Sequence, residues 1–103
     1  MYVIYVIELG PSAERDRAFD HPQRDPAKPC VYVGSTAKDA LARYCDHHLG
    51  ARTQAKAVRK HGSRGLRRDL AQGRYAHSRA KAEQIERQLA DSLRDQGFGV
   101  AQH

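Results

Sequence analysis

The chain passes between two hydrophobic rhythms. Tyr2-Val-Ile-Tyr-Val-Ile-Glu-Leu9 is rich in β-branched and aromatic residues and stops at Gly10-Pro11, which predicts a strand. Both alternating faces of that strand are apolar, so it belongs inside a sheet covered on two sides. Pro11 to Pro29 is polar and charged and holds all four prolines, which predicts a long mobile loop. Cys30-Val-Tyr-Val-Gly34 reads as a second short strand, and a flexible connection between consecutive strands favours an antiparallel pair.

From there the period lengthens. Ser35 or Thr36 can cap a helix over about residues 38–49 that stops at Gly50. On it Leu41, Tyr44, Cys45 and His48 share one stripe, and Arg43 and His47, four apart, share the next. A second helix is expected over about residues 53–60, ending at His61-Gly62. Leu66 to Leu70 is expected as a third strand. The last helix, about residues 78–96, has a core stripe of Ala82, Ile85, Leu89 and Leu93 and a C-cap glycine, Gly97. Phe98 and Val100 suggest a terminal strand. The order ββααβα, without repeats, predicts one α/β domain with a small central sheet.

Length and composition narrow the class. The chain has 103 residues, 40% hydrophobic and 29% charged, as expected of a single soluble domain with a modest core. Its longest apolar stretch, Tyr2 to Ile7, is too short to span a bilayer, and no basic leader precedes it, so a cytoplasmic protein with no membrane partner is expected. Cys30 and Cys45 lack metal or redox spacing and are expected as free thiols.

The net charge of +6 favours an anionic partner such as nucleic acid, although it also serves solubility. Its distribution favours the former. Arg52, Lys56, Arg59, Lys60, Arg64, Arg67, Arg68 and Arg74 crowd into one block in which Asp69 is the only acid. Phosphate contacts explain so one-sided a block better than solvation does.

Phosphodiester hydrolysis needs an activated water, a cationic group for the phosphate and help for the leaving oxygen. One hard cation held by a single carboxylate can supply much of this. Tyr5 and Tyr32, each mid-strand, can lie side by side with their hydroxyls on one sheet face, and Gly34 leaves room on that face. Taken alone, the tyrosines read better as core or interface aromatics with satisfied hydroxyls. Arg43 and His47 also fit a solvated helix face. On the last helix, Glu86 is turned roughly 40–50° from the centre of the apolar stripe and Glu83 roughly 100°. Glu86 is therefore the carboxylate expected to look inward, toward a metal ion or a salt bridge with Arg43. Cys45, His47 and His48 do not make a zinc site, because adjacent residues on a helix point apart and no second ligand pair follows.

These residues fall in a characteristic order. Val3-Ile4-Tyr5, then Tyr32-Val33-Gly34, then Arg43, His47 and a downstream helix glutamate together resemble the GIY-YIG nuclease superfamily. Lys28-Pro-Cys-Val-Tyr-Val-Gly-Ser-Thr36, Val58-Arg-Lys-His-Gly62, Ala82-Glu-Gln-Ile-Glu-Arg-Gln-Leu-Ala90 and Leu93-Arg-Asp-Gln-Gly97 resemble its small single-domain members. The likeness spans nearly the whole chain outside residues 11–29. It implies a three-stranded antiparallel sheet flanked by helices and a metal-dependent DNA endonuclease using Mg²⁺ or Mn²⁺. It further implies that one of Tyr5 and Tyr32 helps deprotonate water, that Arg43 stabilises the scissile phosphate and that His47 relays a proton or supports a tyrosine. Glu86 would be the single metal ligand, with Glu83 second in line.

The chain departs from the family pattern in having Val3 in place of the usual glycine, an arginine one residue further on than in the excision-repair members, and no asparagine. On this reading DNA is gripped by Lys56, Arg59, Lys60, Arg64, Arg67 and Arg68, and specificity comes from a protein partner or from DNA shape. Two other classes fit the same sequence: a non-catalytic nucleic-acid-binding module on this fold, and an adaptor whose basic face takes an acidic protein.

Overall fold

The computed structural model describes residues 1–37 and 56–102, with Lys56 described by its backbone alone. The expected helix at 38–49, with Arg43 and His47, lies outside the described residues. The rest is an α/β fold built on one mixed five-stranded sheet.

The first strand, β1 (Tyr2–Leu9), is the centre of the sheet. It pairs antiparallel with β2 (Cys30–Thr36) on one side. On the other side it pairs antiparallel with β3 (Ser63–Leu66) at one end and with the two-residue β4 (Tyr75–Ala76) at the other. A last strand, β5 (Gly99–Gln102), pairs parallel with β2. The helices among the described residues are α1 (Lys56–His61), α2 (Arg68–Ala71) and α3 (Arg79–Asp95).

The apolar residues on both faces of β1 explain its position. Ile4 and Val6 point to one side, with Val31 and Val33 of β2, and meet Leu89, Ala90 and Leu93 of α3. Tyr5, Ile7 and Leu9 point to the other, with Cys30 and Tyr32, and meet Val58 of α1 and Ala13 and Phe19 from the first loop. A strand burying both faces needs cover on both, and helices and loop supply it.

Three expectations change. The sheet is five-stranded and mixed rather than three-stranded and antiparallel. The sequence between β2 and β5 is long enough to supply the crossover that a parallel pair needs. Leu66 to Leu70 is not a strand: β3 ends at Leu66 and α2 begins at Arg68. A strand would turn residues 66 and 70 to the same face, whereas Leu66 packs on the tyrosine side and Leu70 on the α3 side. The 11–29 segment carries two 3-10 turns, Pro11–Arg15 and Arg17–Phe19, and contributes Ala13 and Phe19 to the core.

The last helix follows its sequence signals. Ser78 caps it, its hydroxyl accepting from the Lys81 amide at 3.2 Å. At the other end Gly97 takes a positive φ of 103°, its amide donates to Arg94 and the Phe98 amide donates to Leu93. These two bonds are the Schellman closure, and Phe98 and Leu93 bury together beneath it.

Candidate functional site

The register of β1 and β2 sets the tyrosine pair. Tyr5 faces Gly34 and Tyr32 faces Ile7, so the tyrosines are diagonal neighbours on one face. Their ring centroids are 6.1 Å apart with the planes tilted by 44°. A Cβ on Gly34 would stand 2.6 Å from the Tyr5 hydroxyl oxygen and 2.7 Å from its Cζ. The space expected beside Gly34 is thus taken by the ring of Tyr5 itself rather than left for a ligand. Both rings are buried, 2% and 4% exposed.

Glu86 is drawn further inward than its helix phase suggested. The buried stripe of α3 runs through Ala82, Glu86, Leu89, Ala90 and Leu93, while Ile85 is only partly buried. At 2% exposure Glu86 is the one buried charged residue among the described residues. Glu83 turns outward and meets Arg79 at 3.5 Å.

The sheet separates these two features. The helix carrying Glu86 lies on the Ile4/Val6/Val31/Val33 face, and the tyrosine rings lie on the opposite one. Pairing of β2 with β5 extends to Val33 and Gln102, and Gly34 to Thr36 pair with β1.

The basic block is partly neutralised from within. Register places Glu8 of β1 opposite Gly65, and a bulge follows between Glu8 and Leu9. The Glu8 carboxylate accepts from Arg67 Nη1 at 2.8 Å and lies 3.8 Å from Arg64 Nε. Arg67 also holds Asp69 with two bonds of 3.0 and 2.9 Å. That fork keeps the Asp69 carboxyl below its usual range and raises Arg67 further. Lys60 meets Asp16 at 3.2 Å. Arg59 and Arg68 are exposed and make no ion pair among the described residues. Glu8 is the piece that a linear reading misses, since only strand pairing brings it to the block.

A further polar group joins the first loop to α1. Ser12 Oγ lies 2.8 Å from His61 Nδ1, and His61 Nε2 lies 3.0 Å from Asp16 Oδ2. Asp16 also accepts from the Ala18 amide at 3.0 Å. This amide bond, then His61, then Lys60 lower the Asp16 carboxyl to about 2. The His61 ring packs edge-on to Phe19 at 5.9 Å. In the sequence His61 signals only a helix end; nothing in a linear reading joins it to Ser12 and Asp16. Cys30 is a buried free thiol pushed up by that burial, with Arg24 Nη2 donating to it at 3.4 Å.

No group of three or more His, Cys, Asp or Glu side chains gathers to hold a metal among the described residues. A hard cation here would rest on Glu86 as single protein ligand, with water and phosphate oxygens completing its shell. An oxygen donor of that kind suits Mg²⁺. No helix among the described residues is long and apolar enough to cross a membrane. No protein-family model, curated protein or solved structure matches the chain.

Proposed function

We propose that the chain is a metal-dependent DNA endonuclease of the GIY-YIG type, hydrolysing phosphodiester bonds by in-line attack of water. The observation that supports it is the packed pair of Tyr5 and Tyr32 across Gly34, on a sheet whose other face takes a helix that buries one carboxylate, Glu86. In this reading a tyrosine hydroxyl accepts a proton from the attacking water while handing its own to His47. Arg43 neutralises charge developing on the phosphate as the bond to the leaving oxygen breaks, and His47 returns its proton to that oxygen. Glu86 would hold Mg²⁺ or Mn²⁺, which supplies Lewis acidity at the phosphate. The exposed cations Arg59 and Arg68, together with Lys56, Lys60, Arg64 and Arg67, would track the DNA backbone. A protein partner or the shape of the DNA supplies specificity. The enzyme would act in the cytoplasm.

The test is a nicking assay on supercoiled and branched DNA with Mg²⁺ or Mn²⁺. Cleavage should cease with a chelator and in Arg43→Ala and Glu86→Ala proteins that keep the parent's circular dichroism. Uninterrupted cutting by both variants refutes the site.

A second reading draws on a different observation. Both tyrosines and Glu86 are almost wholly buried, and the helix of Glu86 lies across the sheet from the rings. This favours a nucleic-acid-binding module in which the same residues serve the core. Binding that weakens steeply with salt, without cleavage under any metal, would select this reading.

A further inference from the structure

The tyrosine face of the sheet does not end at the buried pair. β4 lies beside the start of β1, with Tyr75 opposite Val3 and Ala76 opposite Tyr2. Opposed residues of an antiparallel pair share a face, so Tyr75 points the same way as Val3 and Tyr5. Val3 is in turn opposite Thr36. The row Tyr75, Val3, Thr36 therefore continues the face that carries Tyr5 and Tyr32. Within the sheet the rings are buried, but Tyr75 is 56% exposed, and Met1 is the only other large hydrophobic side chain so exposed among the described residues. His77, two residues on, packs edge to face with it, the centroids 5.8 Å apart and the planes at 84°. Such a pair holds both rings in place without covering them.

The run of sequence that carries this pair holds charge of one sign. Arg74-Tyr75-Ala76-His77-Ser78-Arg79-Ala80-Lys81 interleaves cations with aromatics, and no acid occurs from Leu70 to Ala82. Arg74 is held at the edge by the Leu70 and Ala71 carbonyls, each at 3.3 Å. Lys81 is exposed, and Arg79, though it meets Glu83, is 72% exposed at its side chain. Cations that flank, in the sequence, flat rings open to solvent fit a nucleic-acid strand that offers a base face as well as phosphates. In a continuous duplex the base faces are stacked on one another; only tails, flaps, loops and bulges present them.

We propose that Tyr75 and His77 form a stacking platform for an unpaired nucleobase, at the exposed end of the tyrosine face. The proposal rests on the nucleic-acid reading given above and names the substrate class: DNA with an unpaired segment. The aromatic pair takes the base, and Arg74, Arg79 and Lys81 take the phosphates on either side.

The test measures binding by fluorescence anisotropy at low salt without divalent metal, so that no cleavage intervenes. The probes are a forked oligonucleotide with a single-stranded tail and a blunt duplex of equal length. Tyr75→Ala should weaken fork binding about tenfold, change duplex binding by less than about twofold, and leave circular dichroism unchanged. Tyr75→Phe should bind the fork as the parent does, because the ring stacks and the hydroxyl does not. A 2-aminopurine placed in the tail should be quenched by the parent and stay bright with Tyr75→Ala. Equal loss on fork and duplex, or no loss on either, overturns the platform while the nucleic-acid reading stands. A parent protein that binds neither probe overturns both.

Discussion

Tyr5 lies directly across the strand pair from Gly34, and its ring fills the volume that a side chain at residue 34 would need. Gly34→Ala would bring a methyl to 2.7 Å from the Tyr5 Cζ, a rigid ring atom in a side chain only 2% exposed. The expected loss is about 1–3 kcal/mol, read from urea denaturation. Adding Tyr5→Leu to the same chain should recover part of it. An alanine variant as stable as the parent would mean that the two residues do not pack in this way.

Asp16 gives a pH dependence with a definite sign. Its carboxyl falls from 3.8 to about 2 because the Ala18 amide, His61 and Lys60 all favour the charged form. A carboxyl lowered by folding stabilises the protein fully above its unfolded value and less as pH falls toward the folded one. The stability advantage of the parent over Asp16→Asn should therefore be constant above about pH 5 and shrink between about pH 4 and 2. Denaturant midpoints across that window provide the check, and a difference independent of pH would sink the assignment.

Glu8 restrains the basic block. Glu8→Gln removes the carboxylate that holds Arg67 at 2.8 Å and sits near Arg64. Both partners are partly exposed, so the stability cost should be small, about 0–1 kcal/mol. Affinity for DNA should rise, with the slope of log affinity against log salt steeper by about one contact. An unchanged slope would show that Arg64 and Arg67 do not meet phosphate.

Gly97 closes α3 and also touches the first loop. Its φ of 103° suits glycine, and a Cβ there would lie 2.6 Å from Asp25 Cβ. Its carbonyl accepts from the Asp25 amide at 2.8 Å. Gly97→Ala should cost about 1–3 kcal/mol in thermal or urea unfolding. A neutral result would show that the loop yields without loss.

The parts legible in the sequence were those governed by local pattern. β1 announced itself by apolar residues on both faces, and α3 by its 3.6-residue stripe and Gly97. The inward turn of Glu86 followed from helix phase, although burial went further because the stripe centres nearer Glu86 than Ile85. What stayed hidden depends on pairing between distant segments. β5 is four residues long, too short for its period to declare a parallel partner. Leu66 and Leu70 are spaced for a helix and for a strand alike, and only their opposite burial decides. The neutralisation of Arg67 by Glu8, the Ser12–His61–Asp16 chain and the separation of Glu86 from the tyrosine rings all require the sheet to be assembled first.

The parallel pairing of Cys30–Val33 with Gly99–Gln102 also sets an order of events for a nascent chain. β1 and β2 can meet while much of the chain is still unmade. The edge of β2 that β5 will cover must wait until α3 has formed and turned back at Gly97. During that interval an apolar strand offers open backbone groups to any neighbouring chain. Truncation within β5, or slow synthesis through α3, should therefore favour aggregation of newly made protein before it alters the stability of molecules that have already folded.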